Sequence, residues 1–228
     1  MPGTSTPTPV LTPPSGAFDG SGVDGTAYLD VVHTAQTAPA WLDHLVGGYS
    51  AYGLALFALL MAVAWWRARE ESPERAVRAL AVPLITVAAF AVSSVLKLLV
   101  REARPCRSLH VTVLEACPAP ADWSFPSNHA TLAGAAAVAL LIVSRRLGAV
   151  ALVAAVLMAA SRVWVGAHYP HDALAGLLLG AAVALLAGWT VRRAPDPLPE
   201  RLVRGPLRTL LAGRSRTNAL RAAGSPRG

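Results

Sequence analysis

The stretch that decides the fold is residues 147–191, where the runs LGAVALVAAVLMAASRVWV (147–165) and ALAGLLLGAAVALLAGWTV (173–191) flank the short segment GAHYPHD. The first run carries one charged residue, Arg162, near its end, and the second carries none. About 20 apolar residues cross the roughly 30 Å hydrocarbon core of a bilayer, so each run can form a spanning helix. The pattern therefore predicts two antiparallel membrane helices joined by a tight turn.

Three more apolar runs precede this pair, at 47–66, 79–96 and 126–144. Over the whole chain 54% of residues are hydrophobic and 14% are charged, whereas a soluble domain carries about a quarter charged residues. This composition excludes a soluble hydrolase, a zinc module and a disordered regulator. We therefore predict an all-α protein, a polytopic membrane helix bundle of about five transmembrane helices.

The segments outside these runs complete the predicted organisation. Residues 1–26 are rich in Pro, Thr, Gly and Ser, which predicts a disordered extracytoplasmic arm. Residues 27–46 interleave apolar and charged side chains, which favours an amphipathic segment at the membrane interface. The transmembrane domain is then 47–191, and residues 192–228 form a basic cytoplasmic tail.

The basic residues predict the orientation of the chain. There are 20 Lys and Arg against 13 Asp and Glu, and fifteen Arg lie in 67–78, 145–146 and 192–227. The positive-inside rule places these segments in the cytoplasm, so we predict a multi-pass cell-membrane protein with an outer N-terminus and a cytoplasmic C-terminus. Because the basic residues alternate with apolar runs instead of forming one stripe, nucleic-acid binding is not expected.

Five basic residues remain on the predicted outer side, where the positive-inside rule disfavours Lys and Arg. They are Lys97, Arg101, Arg104, Arg107 and Arg162. Lys97 and Arg104 are seven residues apart and share one helix face. Snorkelling toward lipid headgroups is one interpretation. The alternative is an anionic ligand that these side chains face together.

A second pattern at the same predicted face is Phe125-Pro-Ser-Asn-His129. Ser127 is suited to cap a helix, which leaves the amides of Asn128 and His129 free to stabilise an anion at the helix N-terminus. By itself, this pattern also fits an ordinary cap followed by a surface histidine.

The third pattern is Ser161-Arg162-Val-Trp-Val-Gly-Ala-His168-Tyr-Pro170-His-Asp172. Pro170 favours a new helix after it, which puts His168 in the turn and Asp172 in the first helical turn. A carboxylate there can accept the ring N–H of His168 and leave the other nitrogen free as a nucleophile. By itself, Asp172 equally fits a helix cap and Arg162 a headgroup contact.

Together, the three patterns resemble the type 2 phosphatidic acid phosphatase (PAP2) superfamily. Its motifs Lys-x6-Arg-Pro, Pro-Ser-Gly-His and Ser-Arg-x5-His-x3-Asp align with 97–105, 126–129 and 161–172. Asn128 stands where the common pattern has Gly, although a backbone N–H donor is kept. The resemblance covers about 47–191 and looks closest to bacterial undecaprenyl-diphosphate phosphatases.

The resemblance implies roles for the matching residues. His168 is then the nucleophile that forms a phosphohistidine, Asp172 orients it, and His129 protonates the departing oxygen and later helps to activate water. The implied phosphate-binding residues are Lys97, Arg104, Ser127, Asn128 and Arg162. No metal and no cofactor is expected, because three cations supply the charge that a divalent ion supplies elsewhere.

The implied activity is hydrolysis of a polyprenyl diphosphate to the monophosphate and phosphate at the outer membrane face. Other substrates left open are phosphatidate, phosphatidylglycerol phosphate and a decaprenyl-phosphoryl sugar phosphate. An alternative of another class is a non-catalytic membrane protein that binds or transports a phospholipid. The oligomeric state is not predicted.

Three features outside the motifs give smaller predictions. Cys106 and Cys117 lie in a predicted outer loop, where an oxidising compartment favours one disulfide. Small residues recur every four positions in the last run and predict close internal helix packing: Gly176, Gly180, Ala184 and Gly188. The residues flanking the motifs are interpreted as a solvated rim or as contacts to a second phosphate: Arg101, Arg107, His110 and His171.

Overall fold

The computed structural model describes residues 16–193, which form eight helices and no strand, with one isolated bridge between Phe18 and Glu102. The helices are α1 (Ser21–Thr37), α2 (Ala40–Tyr52), α3 (Leu54–Glu71), α4 (Pro73–Val100), α5 (Pro105–Ser108), α6 (Asn128–Val143), α7 (Arg145–Trp164) and α8 (Pro170–Arg193). This confirms the predicted all-α membrane helix bundle. The predicted basic tail falls almost wholly on residues 194–228, which lie outside the described residues, as do residues 1–15.

Serine caps fix where several helices begin. Ser72 accepts a hydrogen bond from the amide of Arg75 at 3.2 Å, and Pro73 follows at the first helical position, where its missing N–H leaves no partner unsatisfied. Ser144 has extended backbone and is the single residue between α6 and α7. Across these short links α3 packs against α4, and α6 packs against α7.

The helices differ in how well they suit a bilayer. Among the described residues, α4, α7 and α8 are each long and apolar enough to cross it, and α2 with α3 form a pair bent by 53° that qualifies as one broken span. The predicted first run, 47–66, is therefore not one straight helix. The break is at Gly53, where a Cβ would lie 2.7 Å from Met158 Cε.

Helix α6 is the centre of the bundle, although with 16 residues it is shorter than the other candidate spans. It packs against α3, α4, α7 and α8, so protein rather than lipid surrounds it. Its approach to α8 is close, because a Cβ at Gly176 would lie 2.5 Å from the Ser127 carbonyl oxygen and one at Gly134 would lie 2.6 Å from the Leu177 carbonyl oxygen. The small-residue stripe on α8 thus packs internally, as predicted.

The N-terminal part is more ordered than the predicted arm. Helix α1 begins at Ser21, inside the segment 1–26 that predicts disorder, and packs against α7 and α8. Tyr28 of α1 is fully buried and its hydroxyl donates to the Gly166 carbonyl at 3.0 Å. Composition alone predicts disorder here because it does not register this long-range contact. The predicted interfacial segment 27–46 is divided between α1 and α2.

Candidate active site

The residues singled out by the three motifs come together at one end of the bundle. Lys97 is in the last turn of α4, Ser127 caps α6, Arg162 is in the last turn of α7, and Asp172 is in the first turn of α8. His168 lies in the turn between α7 and α8, and Arg104 precedes α5. All six are at least nine-tenths buried. We call the side chains of Lys97, Arg104, Arg162 and His168 the anion site.

The hydrogen bonds of Arg104 define the tautomer of His168. One guanidinium nitrogen of Arg104 lies 3.0 Å from His168 Nε2 and also donates to the Ala167 carbonyl at 2.9 Å. A guanidinium only donates, so Nε2 of the neutral ring must accept and its proton must sit on Nδ1. The nitrogen that carries the lone pair therefore points toward the cations.

Electrostatics keep this imidazole neutral. Burial lowers the pKa of His168 well below its ordinary 6.5, and the positive charges of Arg104, Lys97 and Arg162 lower this pKa further. A neutral imidazole has the free electron pair that a nucleophile requires.

Behind the ring, Ser124 joins His168 to Asp172. The Ser124 hydroxyl donates to Asp172 Oδ2 at 2.5 Å and lies 3.4 Å from His168 Nδ1, while the direct distance from Nδ1 to Asp172 Oδ2 is 3.5 Å. The same carboxylate oxygen accepts from the Tyr169 amide at 2.9 Å. The sequence predicts a direct contact between His168 and Asp172; the structure places a serine hydroxyl beside it.

Lys97 holds the segment that leads into α6. Its ammonium donates to the carbonyls of Trp123 at 2.5 Å and Ser124 at 3.0 Å. An ammonium has three donors, so one remains for a ligand. Lys97 therefore both fixes the chain that carries Ser124 and supplies positive charge to the anion site.

Two loop carboxylates form ion pairs with the arginines of the anion site. Asp122 pairs with Arg104 at 2.8 Å, and Glu115 pairs with Arg162 at 2.8 Å. Both acidic side chains are close to half exposed, at 50% and 41%, whereas the arginines are buried. A carboxylate presents two oxygens to a guanidinium much as a phosphate does. The two loop carboxylates therefore use guanidinium donors of Arg104 and Arg162 that are suited to an oxyanion.

The second motif lies at the N-terminal end of α6, and the structure confirms only part of what was predicted for it. Ser127 accepts from the Ala130 amide at 3.5 Å, which confirms the predicted cap. The Asn128 side chain accepts a hydrogen bond from Ser93 of α4 at 2.6 Å, so it links two helices. His129 is half-buried and interacts electrostatically with Arg162 and with His168.

His171, interpreted above as a rim residue, lies in an acidic cluster on the far side of Asp172. Its Nδ1 is 2.7 Å from Asp24 of α1, and its Nε2 is 3.0 Å from Glu102. Glu102, His171 and Asp172 present ligand-type atoms within 4.8 Å of one another. Because both imidazole nitrogens already face carboxylates, His171 forms ion pairs that fasten α1 to the start of α8, while Asp172 Oδ1 has no hydrogen-bond partner.

The other flanking residues take separate positions. Arg107 is buried and its guanidinium donates to the Pro118 carbonyl inside the loop. Arg101 and His110 are exposed and have positive φ angles of 55° and 54°. Cys106 and Cys117 form the predicted disulfide, which ties α5 to the loop that carries Glu115.

Sequence reasoning missed the partners of the motif residues. Ser124, Glu115 and Asp122 belong to the irregular segment 109–127, which has no periodicity to mark a side chain as inward-facing. Ser50, whose hydroxyl accepts from Arg162 at 2.5 Å, lies within an apolar run. The charge of Glu115 and Asp122, in a loop that follows Arg101, Arg104 and Arg107, is the one signal that points to them.

The fold and the anion site define a membrane helix bundle that carries a buried histidine beside three cationic side chains. The chain belongs to the PAP2 superfamily, whose family profile matches residues 76–196. It is 30% identical over 169 residues to the undecaprenyl-diphosphatase BcrC of Bacillus subtilis, covering 73% of this chain and 82% of the relative. It is 35% identical over 140 residues to the decaprenylphosphoryl-5-phosphoribose phosphatase of Mycobacterium tuberculosis, covering 61% and 72%.

A solved structure has a similar fold. The crystal structure of Aquifex aeolicus LpxE superposes with a TM-score of 0.57 at 21% identity, covering 72% of this chain and 94% of that chain. Together with the family membership, this identifies a membrane lipid phosphatase of the PAP2 type.

Proposed function

We propose that this phosphatase hydrolyses a polyprenyl diphosphate of the undecaprenyl type to the monophosphate and inorganic phosphate, through a phosphohistidine on His168. The observation that carries the proposal is the bond from Arg104 to His168 Nε2 at 3.0 Å, which aims the lone pair of a neutral imidazole into a cluster of cations. The similarity to BcrC supports the choice of substrate.

The first half of the reaction follows from this geometry. The terminal phosphate takes the donors of Arg104 and Arg162 from the two loop carboxylates. It also takes the separate Arg104 donor that faces His168 Nε2, which frees that nitrogen. Nε2 then forms a bond to phosphorus while the bond from phosphorus to the bridging oxygen breaks. His129 takes up a proton when the negatively charged phosphate enters the site beside it, and it donates that proton to the bridging oxygen. The cations stabilise the charge that develops on the phosphoryl oxygens.

The second half returns the enzyme to its starting state. His129, now deprotonated, accepts a proton from a water molecule whose oxygen attacks phosphorus, and the bond between phosphorus and nitrogen breaks to release phosphate. Throughout, the Nδ1 proton of His168 is held by Ser124 and Asp172, which stabilise the positive ring of the intermediate. The Ser127 hydroxyl and the Asn128 amide contribute donors near the helix N-terminus, because the Ser127 amide already donates to the Asp172 carbonyl at 3.1 Å. The scheme uses no metal and no cofactor.

The orientation belongs to the same proposal. With the Arg-rich segments in the cytoplasm, the anion site faces the extracytoplasmic side of the cell membrane and the C-terminus lies inside. A diphosphate carrier lipid released on the outer face then reaches the site without crossing the bilayer.

Other lipid phosphates are the second candidate substrates, because the anion site would bind a phosphate group and not a complete headgroup. The similarity to the Mycobacterium tuberculosis phosphatase favours a decaprenyl-phosphoryl sugar phosphate among them; phosphatidate and phosphatidylglycerol phosphate complete the set. A non-catalytic lipid-binding protein is the alternative outside enzymes, and it would form no covalent phosphoenzyme.

A substrate panel on purified protein in detergent tests the proposal. We expect phosphate release from undecaprenyl diphosphate to exceed release from the other lipids, to survive EDTA, and to disappear in His168→Ala. The matched control is His33→Ala, because His33 is exposed on α1. Absence of prenyl diphosphate hydrolysis contradicts the substrate, EDTA sensitivity contradicts the metal-free scheme, and failure to trap a phosphoenzyme contradicts the intermediate.

A further inference from the structure

The two carboxylate oxygens of Asp172 face different histidines. Oδ2 belongs to the arrangement around His168, where the Ser124 hydroxyl and the Tyr169 amide donate to it. Oδ1 lies 3.5 Å from His171 Nε2 and is buried without a hydrogen-bond partner, on a side chain that is fully buried. Because a buried carboxylate oxygen without a donor is destabilising, Oδ1 marks a position where a cation would be favourable.

Asp24 of α1 determines which nitrogen of the His171 ring carries a proton. Its Oδ2 accepts from the His171 amide at 2.7 Å, and its Oδ1 lies 2.7 Å from the ring Nδ1. An ionised carboxylate only accepts, so Nδ1 carries the proton and donates it. The other nitrogen, Nε2, is left to face the buried carboxylates of Glu102 and Asp172. Histidines that bind metal ions are commonly held in this way, with the second ring nitrogen bonded to a carboxylate.

Three atoms that can each donate an electron pair therefore face one another. Glu102 Oε1 is 3.0 Å from His171 Nε2, Asp172 Oδ1 is 3.5 Å from it, and all three atoms lie within 4.8 Å of one another. A proton on Nε2 satisfies Glu102 alone and leaves Asp172 Oδ1 without a donor. One metal cation among the three atoms would satisfy all of them.

The ligand types and their spacing favour Zn²⁺. Imidazole nitrogen together with carboxylate oxygen is a typical zinc ligand set, whereas Mg²⁺ and Ca²⁺ prefer oxygen ligands alone. Two ligands that each lie about 2.0 to 2.1 Å from a tetrahedral ion are about 3.3 to 3.4 Å apart. The distances of 3.0 and 3.5 Å from His171 Nε2 are close to this spacing.

We propose that Glu102, His171 and Asp172 bind one Zn²⁺, with Asp24 as the outer partner that orients His171. The cluster has three carboxylates around one imidazole, so it stays negative even when the ring is protonated. The side chains of His171 and Asp24 are 20% and 21% exposed, which leaves a path from solvent. The ion takes no part in phosphoryl transfer, so the site goes beyond the proposed function and does not depend on the substrate.

Bound Zn²⁺ should have two effects on the protein. It should raise the unfolding temperature, because only the folded chain brings the three ligands together. It should also lower kcat, because it places positive charge on the carboxylate that stabilises the positive ring of His168. Chelation by EDTA then restores activity instead of abolishing it, in keeping with the metal-free reaction.

Zinc titration of untagged full-length protein in detergent, stripped of metal beforehand, tests the inference without any substrate. We expect calorimetry to give one tight Zn²⁺ site per chain, and X-ray absorption at the zinc edge to show one imidazole with oxygen ligands. Glu102→Gln keeps the size of the side chain but not its charge. It should weaken binding by more than about 100-fold, since loss of an outer partner alone costs about 10- to 100-fold. Asp24→Asn should show that smaller loss.

His33→Asn is the matched control, because it removes an exposed histidine from the helix that carries Asp24; it should bind Zn²⁺ as wild type does. At a Zn²⁺ concentration about 100 times Kd, wild type should unfold about 5 to 10 °C higher, and Glu102→Gln should show no shift.

The inference is overturned if wild type binds no Zn²⁺, if Glu102→Gln binds it as tightly as wild type, or if the ion has two imidazole ligands. Two imidazoles indicate an ion held by His129 and His168 instead. If Glu102→Gln does not fold, the ligands seen by X-ray absorption in wild type decide. Failure to hydrolyse a prenyl diphosphate contradicts the proposed function and leaves these binding measurements unaffected.

Discussion

Ser124→Ala tests whether the serine found between His168 and Asp172 contributes to turnover. The change removes the 2.5 Å hydrogen bond to the Asp172 carboxylate and the 3.4 Å contact to His168 Nδ1. A hydrogen bond to a charged group contributes about 1.5 to 3 kcal/mol. At 1.36 kcal/mol per factor of ten, loss of this contribution in the transition state lowers kcat by about 10- to 150-fold.

The KM should change little, because the Ser124 hydroxyl makes no contact with the arginines. Its backbone carbonyl still accepts from Lys97 in the variant. Asp172 also keeps its bond from the Tyr169 amide at 2.9 Å, so Ser124→Ala should remain more active than Asp172→Asn.

The assay is steady-state phosphate release from undecaprenyl diphosphate in detergent, with the unfolding temperature measured on the same samples. Ser94→Ala is the matched control, because Ser94 is exposed and its hydroxyl bonds within its own helix to the Phe90 carbonyl. A kcat for Ser124→Ala within about twofold of wild type would refute the role of Ser124 in holding the Nδ1 proton.

Three further predictions follow from the same contacts. Glu115→Gln removes the carboxylate that competes for Arg162 and should lower KM by about two- to fivefold, the size of a partly exposed ion pair; an unchanged or higher KM at low salt contradicts the competition. The lowered pKa of His168 means that below pH 6.5 the unfolded chain binds a proton there that the folded protein does not. Stability should therefore fall as the pH drops from 6.5 toward 5, and the unfolding temperature of His168→Asn should fall less; equal slopes contradict this. Gly180→Leu should greatly reduce the yield of folded protein, because even a Cβ there collides with the Thr131 carbonyl oxygen; a wild-type unfolding temperature contradicts the packing.

Much of the fold could be predicted because membrane helices are visible in the sequence as long apolar runs. The run 79–96 lies within α4, the run 147–165 matches α7 except for Val165 at its end, and the predicted Ser127 cap is present at the start of α6. The bend at Gly53 could not be predicted, because hydropathy measures composition along the chain and not the direction of the helix axis. The order of residues 21–26 also escaped prediction, since it depends on packing of α1 against distant helices.

The residues of the site also divide into those that could be predicted from the sequence and those that could not. Lys97 and His168 could be predicted because each lies at a helix end or turn, where spacing determines direction. The prediction that Arg104 shares a helix face with Lys97 was wrong, because α4 ends at Val100 and Arg104 reaches the site from the segment beyond it. Ser124 could not be predicted, because an irregular loop has no period and its hydroxyl reaches Asp172 across 48 positions of sequence. The sequence thus predicted residues at helix ends more readily than the loop residues that hold them.

The loop carboxylates also bear on which lipids this site accepts. Three buried cations, Lys97, Arg104 and Arg162, would repel one another strongly without anions nearby. Glu115 and Asp122 provide two negative charges on flexible, half-exposed side chains. A ligand that displaces both must replace two charges to restore the balance. A terminal phosphate near its second ionisation carries about that charge, whereas a phosphodiester headgroup carries one. If the proposed site is correct, we therefore expect ordinary phospholipids to compete poorly with the substrate even when they are in excess.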